Sequence, residues 1–258
     1  MNFDRIRMWR QLFGGVVDRN IGSVSSGHSF QSQAEWRAYL NELHQHVRYE
    51  DQLEALPYVV LDTETTGFSP GADELLSVAA IKLDLGKSVA QAIFHSYVAL
   101  QKGRIIPESV QELTGITHSL LEGAPDIDEV LLLFLRFIED RVIVAHHAGF
   151  DVRFLNVALR KKYGIELDSV ILDTGKIAML LHPFKNYPTL DWLLALYEIP
   201  IHERHSAEGD ALMTLELFCR ELQQLKAVGI STLGELWERL MWLERTRDSN
   251  FGGTGRIP

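Results

Sequence analysis

The segment DTETTG follows the apolar run YVVL and places Asp62 and Glu64 two residues apart. Alternate side chains of a strand share a face, so these two carboxylates lie side by side and repel. Such a pair costs stability unless something positive sits between them. Further acids stand at comparable places. Asp151 ends AHHAGFD, after a buried-looking strand and at the start of a helix. Asp210 lies in HSAEGDA, in the first turn of a helix that Ser206 can cap, with His205 just before the cap. Asp173, in ILDT, also follows an apolar run, and reads as a residue that caps or orients local structure. Ends of strands and starts of helices are where α/β sheets gather their active sites. If Asp62, Glu64, Asp151 and Asp210 converge, two Mg2+ ions balance their charge, and hard divalent ions prefer oxygen ligands of this kind.

Each piece alone has a plainer reading. An acid-x-acid pair after a strand is commonly a solvated turn, His146 and His147 can be polar residues at a strand end, and His205 can be an exposed loop residue. The ordered combination in one chain points to a metal-holding site.

The elements that must position these groups are legible from periodicity. YVVLD, ELLSVAAIKLD and SVAQAIFHSYVAL read as three strands, the last two joined by the turn-like LGK. PESVQELTG opens a short helix, IDEVLLLFLRFIED is a strong helix, and RVIVAH is a buried strand. FDVRFLNVALRKKYG is a helix closed by Gly164, VILDT a short strand, and TLDWLLALYE and SAEGDALMTLELFCRELQQL are helices. A meander of strands followed by alternating helices and strands predicts an α/β fold with a mixed sheet flanked by helices.

Residues 1–56 read as an N-terminal helical extension. Residues 1–19 form a short basic amphipathic helix, 20–33 a Ser/Gly-rich linker, and 34–56 a helix whose Trp36, Leu40, Leu43 and Val47 share one face. Residues 57–227 form the catalytic domain, and 228–258 hold a C-terminal helix and tail.

A chain of 258 residues with 46% hydrophobic content can bury a full core. Its single cysteine, Cys219, excludes an intrachain disulfide and a cysteine-based zinc site, which fits a cytoplasmic setting. No apolar run approaches ~20 residues, the length of a membrane-spanning helix. A net charge of −10 argues against coating long nucleic acid through a broad basic surface, but leaves room for an enzyme that grips a few nucleotides through cations.

DTETTG, LTGIT, AHHAGFD and HSAEGDA, in that order, resemble the DEDD superfamily of 3′→5′ exonucleases. The histidine five residues before the last aspartate resembles the histidine subclass, and the likeness, over about residues 57–226, is to the proofreading epsilon type of bacterial DNA polymerase III. The resemblance implies an RNase H-like fold and two Mg2+ or Mn2+ ions. Asp62, Glu64 and Asp210 would hold the ion that positions the attacking water, Asp62 would bridge to a second, and Asp151 would complete the set. His205 would be the general base. Relatives usually carry Asn at the position of His147, which bears on substrate positioning more than on chemistry.

By the same resemblance the substrate is the single-stranded 3′ end of DNA, with RNA or short oligonucleotides as the alternative, and a DNA polymerase subunit is a partner for the N-terminal helices. The backbone around Thr63 and the Glu64 carboxylate would meet the terminal 3′-hydroxyl, and Leu113 and Thr114 would line the terminal nucleotide's pocket. Phe68 either wedges against the last bases or anchors its loop. Arg153, Arg160, Lys161 and Lys162 share a helix and either meet phosphates or form a solvated face. A non-cutting docking module is a further reading, which the complete set of acids and histidine argues against. HERH lacks the spacing of a zinc-protease helix.

Overall fold

Residues 58–61 of the first strand are buried on both faces, the signature of a central strand, and the rest of the fold is laid out around them. The computed structural model describes residues 47–85, 92–139 and 141–251. Strand β1 (Pro57–Thr65) pairs antiparallel with β2 (Leu75–Asp84), which pairs antiparallel with β3 (Ile93–Tyr97). On its other side β1 runs parallel to β4 (Val142–Ala145), and β4 parallel to β5 (Ile171–Asp173). The sheet order is β3-β2-β1-β4-β5.

The helices of the described residues are α1 (Glu108–Thr114), α2 (Ile127–Ile138), α3 (Gly149–Tyr163), α4 (Thr174–Leu181), α5 (Leu190–Leu196), α6 (Ala207–Ala227) and α7 (Leu233–Phe251), with α2 and α3 on one face of the sheet and α6 on the other. The period-2 alternation of β1 sorts the core into two layers. Val59 and Leu61 meet Phe134 of α2 and Phe154, Leu155 and Leu159 of α3. Tyr58 and Val60 meet Ala211, Leu215 and Phe218 of α6, with Leu236 and Leu240 of α7 behind them. The Tyr58 ring packs edge-on against Phe218 at 4.9 Å, and its hydroxyl donates to the Leu53 carbonyl at 2.6 Å.

Local signals explain the helix ends. Asp126 caps α2 by accepting the Glu129 N–H, Ser206 caps α6 by accepting the Gly209 N–H, and Gly164 closes α3 with a φ of 67°.

Residues 1–46, which carry most of the expected N-terminal helices, lie outside the described residues, as does most of the LGK turn. From residue 47 the expected helix 34–56 is not helical. Residues 47–56 form a turn, a single bridge between Gln52 and Thr232, and a 3-10 turn at Leu53–Ala55. Here the backbone serves α7: the Asp51 and Tyr49 carbonyls accept the Leu233 and Gly234 N–H groups, while Leu53 donates to Ser231. Leu56 is extended (ψ 142°), the conformation that a following proline enforces. Helix α4 stands where no helix was expected, and β3 is shorter than the expected strand; beyond Tyr97, Val98 donates to Leu76 but Ala99 turns to Pro125.

Candidate active site

The alternation that sorts the core also sorts the acids. Asp62 and Glu64 follow Tyr58 and Val60 onto the α6 face, where Asp210 lies in the first turn of α6. Carboxylate oxygens of Asp62, Glu64 and Asp210 all lie within 4.8 Å of one another. Thr63 faces the other layer, where α3 delivers Asp151, which is 3% exposed. The Thr63 N–H and hydroxyl both donate to Asp151 Oδ1, at 3.0 and 2.7 Å. A register slip in the pairing of β1 with β2 follows Glu64, and such bulges re-aim side chains and end a ladder.

The assembled charge is expensive. Burial pushes the Asp62 carboxyl well above the usual carboxylate range, and the fields of Asp151, Asp210 and Glu64 push it further. Glu64 rises to about 7 through burial and then the fields of Asp210 and Asp151. Asp151 rises to about 7 through burial, although Thr63's hydrogen bonds work against the rise. Burial also raises Asp210, with Arg204 pulling the other way. Asp210 Oδ1 is buried and has no hydrogen-bond partner among the described residues. An unpaired buried acceptor among ionisable oxygens, with no nitrogen or sulfur donor in the cluster, suits hard divalent cations.

Arg204 and Asp191 belong to this site and were missed in the sequence. Arg204 donates to both oxygens of Asp191 and to Asp210 Oδ2. The signal was a cation directly before His205; its partner Asp191 lies 13 residues upstream, a distance that no local pattern encodes. His205 is partly buried, its N–H approaches Asp210 Oδ2 at 3.3 Å, and its backbone adopts a φ of 61°.

The turn that delivers Asp151 is held from behind. Asp173 caps α4 by accepting from Gly175 and Lys176, and also accepts the Ala148 N–H at 3.1 Å. Tyr187 donates its hydroxyl proton to Asp173 Oδ1 and accepts the His147 N–H at 2.8 Å. His147 has a φ of 60°, in the left-handed region where Asn and His are both enriched, so histidine serves at a position where asparagine is also at home. A Cβ added to Gly175 would overlap the Tyr187 ring. Gly175→Ala is therefore expected to displace Tyr187, cost about 1–3 kcal/mol as an overpacked site, and lower the melting temperature by roughly 2–12 °C. Calorimetry checks this, and an unchanged melting temperature contradicts it.

Phe68 is 88% exposed and its ring meets Phe150 edge-on at 6.1 Å, so it does not anchor its loop in the core. Leu113 is exposed on α1, and Thr114 donates its hydroxyl proton to the Val110 carbonyl. Among the described residues, no hydrogen bond or ring contact links either residue to the acids. Arg160 pairs with Glu166 and Lys162 with Asp128, as on a solvated helix face. Ser77, opposite Glu64 on β2, lies 3.0 Å from His95 Nε2, and His95 Nδ1 lies 3.6 Å from Glu208. At 1% exposure Ser77 is no nucleophile.

A family model described as RNase T exonuclease matches residues 59–218. A DNA polymerase III subunit epsilon-like protein of Rhodobacter capsulatus is 40% identical over 190 residues, covering 72% of this chain and 26% of that protein. The PolC-type DNA polymerase III of Thermotoga petrophila is 35% identical over 188 residues, covering 73% of this chain and 13% of its own length. The chain thus spans a minor part of these relatives. Among solved structures, Exonuclease X with 5′ overhanging duplex DNA aligns with a TM-score of 0.51 and 21% identity, over 67% of this chain and 93% of that one. E. coli Exonuclease I with a dT13 oligonucleotide aligns with a TM-score of 0.56 and 17% identity, over 67% and 42%. These likenesses establish the RNase H-like fold, a mixed five-stranded sheet flanked by helices.

Proposed function

The chain belongs to the RNase T exonuclease family of DEDD-type nucleases, and from that premise we propose that it is a metal-dependent 3′→5′ exonuclease acting on DNA. The observation that carries the proposal is the meeting of Asp62, Glu64 and Asp210 within 4.8 Å, beside an Asp151 clamped by Thr63. Two Mg2+ or Mn2+ ions, when bound, supply the Lewis acidity that two-metal hydrolysis uses for the attacking water and the leaving oxygen. Asp62, Glu64 and Asp210 would hold one ion, and Asp62 with Asp151 would hold the other. His205 takes the proton of the attacking water, a task suited to an imidazole near neutral pH. Thr63 spends its N–H and hydroxyl on Asp151, which leaves Glu64 to meet the terminal 3′-hydroxyl. Leu113 and Thr114 border the terminal nucleotide.

Phe68 stacks on the last base. Because it is 88% exposed, Phe68→Ala is expected to leave stability unchanged. Loss of about 1–3 kcal/mol of stacking raises KM roughly 5- to 150-fold. Equal KM values for wild type and variant would remove Phe68 from the substrate path.

Incubating 5′-labelled single-stranded DNA and RNA with Mg2+, Mn2+ or chelator tests the whole reading. A DNA ladder shortening from the 3′ end and abolished by chelator supports it. A ladder with RNA alone moves the substrate to RNA or short oligonucleotides, as in RNase T or oligoribonuclease, an alternative that the net charge of −10 favours. Binding without cutting makes the chain a docking module. We further propose a polymerase subunit as partner, since relatives are named as DNA polymerase III proteins.

A further inference from the structure

Arg204 lies between two carboxylates with its donors unequally shared. Nε and Nη2 reach the two oxygens of Asp191 at 2.6 and 3.2 Å, the fork geometry that fixes a guanidinium plane. Nη1 donates to Asp210 Oδ2, and the His205 N–H reaches that same oxygen. Asp210 Oδ1 takes no hydrogen bond among the described residues, although it is buried. One oxygen of Asp210 is therefore gripped twice and the other is bare, on a residue that shares the acid cluster with Asp62 and Glu64.

The surrounding backbone is built for fixed presentation. Glu203 and His205, the neighbours of Arg204, adopt φ values of 48° and 61°, which cost energy in residues other than glycine. Ser206 ties the turn down by donating its hydroxyl proton to the Glu203 carbonyl at 2.8 Å while it caps α6. The Arg204 side chain is only 19% exposed, so it does not sweep through solvent.

A cation at this place has two separable effects on an incoming metal ion. Its charge repels the ion. Its hydrogen bonds fix the carboxylate that must receive the ion. The charge is largely answered by Asp191, whose carboxyl is held below its ordinary range chiefly by the hydrogen bond from Arg204. The hydrogen bonds remain. We propose that Arg204 is a positioning residue for the metal site: braced from behind by Asp191, it locks the Asp210 carboxylate so that Oδ1 is presented toward Asp62 and Glu64. The proposal rests on the metal-dependent reading above and adds α5, through Asp191, as part of the support. Outer partners of metal-binding carboxylates typically set metal affinity by about 10- to 100-fold.

The two effects have opposite signs, which makes the test sharp. Mn2+ binding to the full chain is measured by the electron paramagnetic resonance of free Mn2+, without substrate, for wild type, Arg204→Gln, Arg204→Lys and Asp191→Asn. If positioning dominates, Arg204→Gln weakens Mn2+ binding by about tenfold or more. Arg204→Lys does the same, because an ammonium keeps the charge but cannot span both carboxylates. Asp191→Asn, at a half-exposed residue outside the acid cluster, weakens binding in the same direction while the fold is retained. If only the charge matters, Arg204→Gln binds Mn2+ more tightly and Arg204→Lys behaves as wild type. Tighter or unchanged binding in Arg204→Gln overturns the proposal while the metal-dependent reading stands. A wild-type protein that binds no Mn2+ overturns both.

Discussion

Asp62→Ala is expected to lower exonuclease turnover by about a thousandfold or more while raising the melting temperature of the protein in chelator. Both effects have one cause. Asp62 sits where burial and the fields of Asp151, Asp210 and Glu64 all oppose its charge. Its removal takes away the carboxylate proposed to bridge two ions, and metal-ion charge stabilisation contributes several kcal/mol to such chemistry. At ~1.4 kcal/mol for each tenfold in rate, the loss is about 10^3 or greater. The same substitution removes a buried carboxyl that the folded protein keeps only at a cost, by holding a proton or by holding a charge beside like charges. Each kcal/mol so relieved raises the melting temperature by about 2–4 °C in a domain of this size. Single-turnover kinetics and calorimetry on one preparation check the pair of effects. Turnover within tenfold of wild type would remove Asp62 from the chemistry, whatever the melting temperature did.

The second large effect concerns pH. Glu64 is raised from 4.5 to about 7 and Asp151 from 3.8 to about 7. Below pH ~4 these groups are protonated in both folded and unfolded chains and cost nothing extra. Between ~4 and ~7 the unfolded chain releases their protons while the folded protein keeps them, so rising pH favours unfolding. Above ~7 the whole penalty is present. For Glu64 alone, 2.5 pH units at 1.36 kcal/mol each corresponds to about 3 kcal/mol, and Asp62 and Asp151 act in the same direction. In chelator the melting temperature should fall by roughly 6–12 °C from pH 5 to pH 8. Mn2+ should restore it at pH 8 and do little at pH 5, because binding to the folded state alone adds stability by mass action and requires ionised ligands. A melting temperature in chelator that is flat between pH 5 and 8 would show that the carboxylates do not share one buried site.

The acids were legible because strand periodicity is a local rule. Two-residue spacing put Asp62 and Glu64 on one face, apolar runs marked the strands that lead to Asp62 and toward Asp151, and Ser206 marked the start of the helix that carries Asp210. The parts that were not legible depend on distant partners. Nothing near Arg204 announces Asp191, and nothing near His147 announces that Tyr187 accepts its N–H. The expected helix over 34–56 failed at its described end for a related reason. Leu53 and Leu56 are apolar because they join the core with Leu233 and Leu236, a packing that needs no helical period. Helix α4 was overlooked although Asp173 caps it, because the aspartate's place after an apolar run suggested the end of a strand more strongly than the start of a helix.

Neighbouring residues of β1 look into different halves of the interior: Asp62 toward α6, and Thr63, with the Asp151 it holds, toward α3. Two ions, one held by Asp62 with Asp210 and the other by Asp62 with Asp151, would share that aspartate and stitch through the sheet like a rivet. Separate breathing of the two halves would then give way to joint opening, and amide protons at the starts of α3 and α6 would exchange in step.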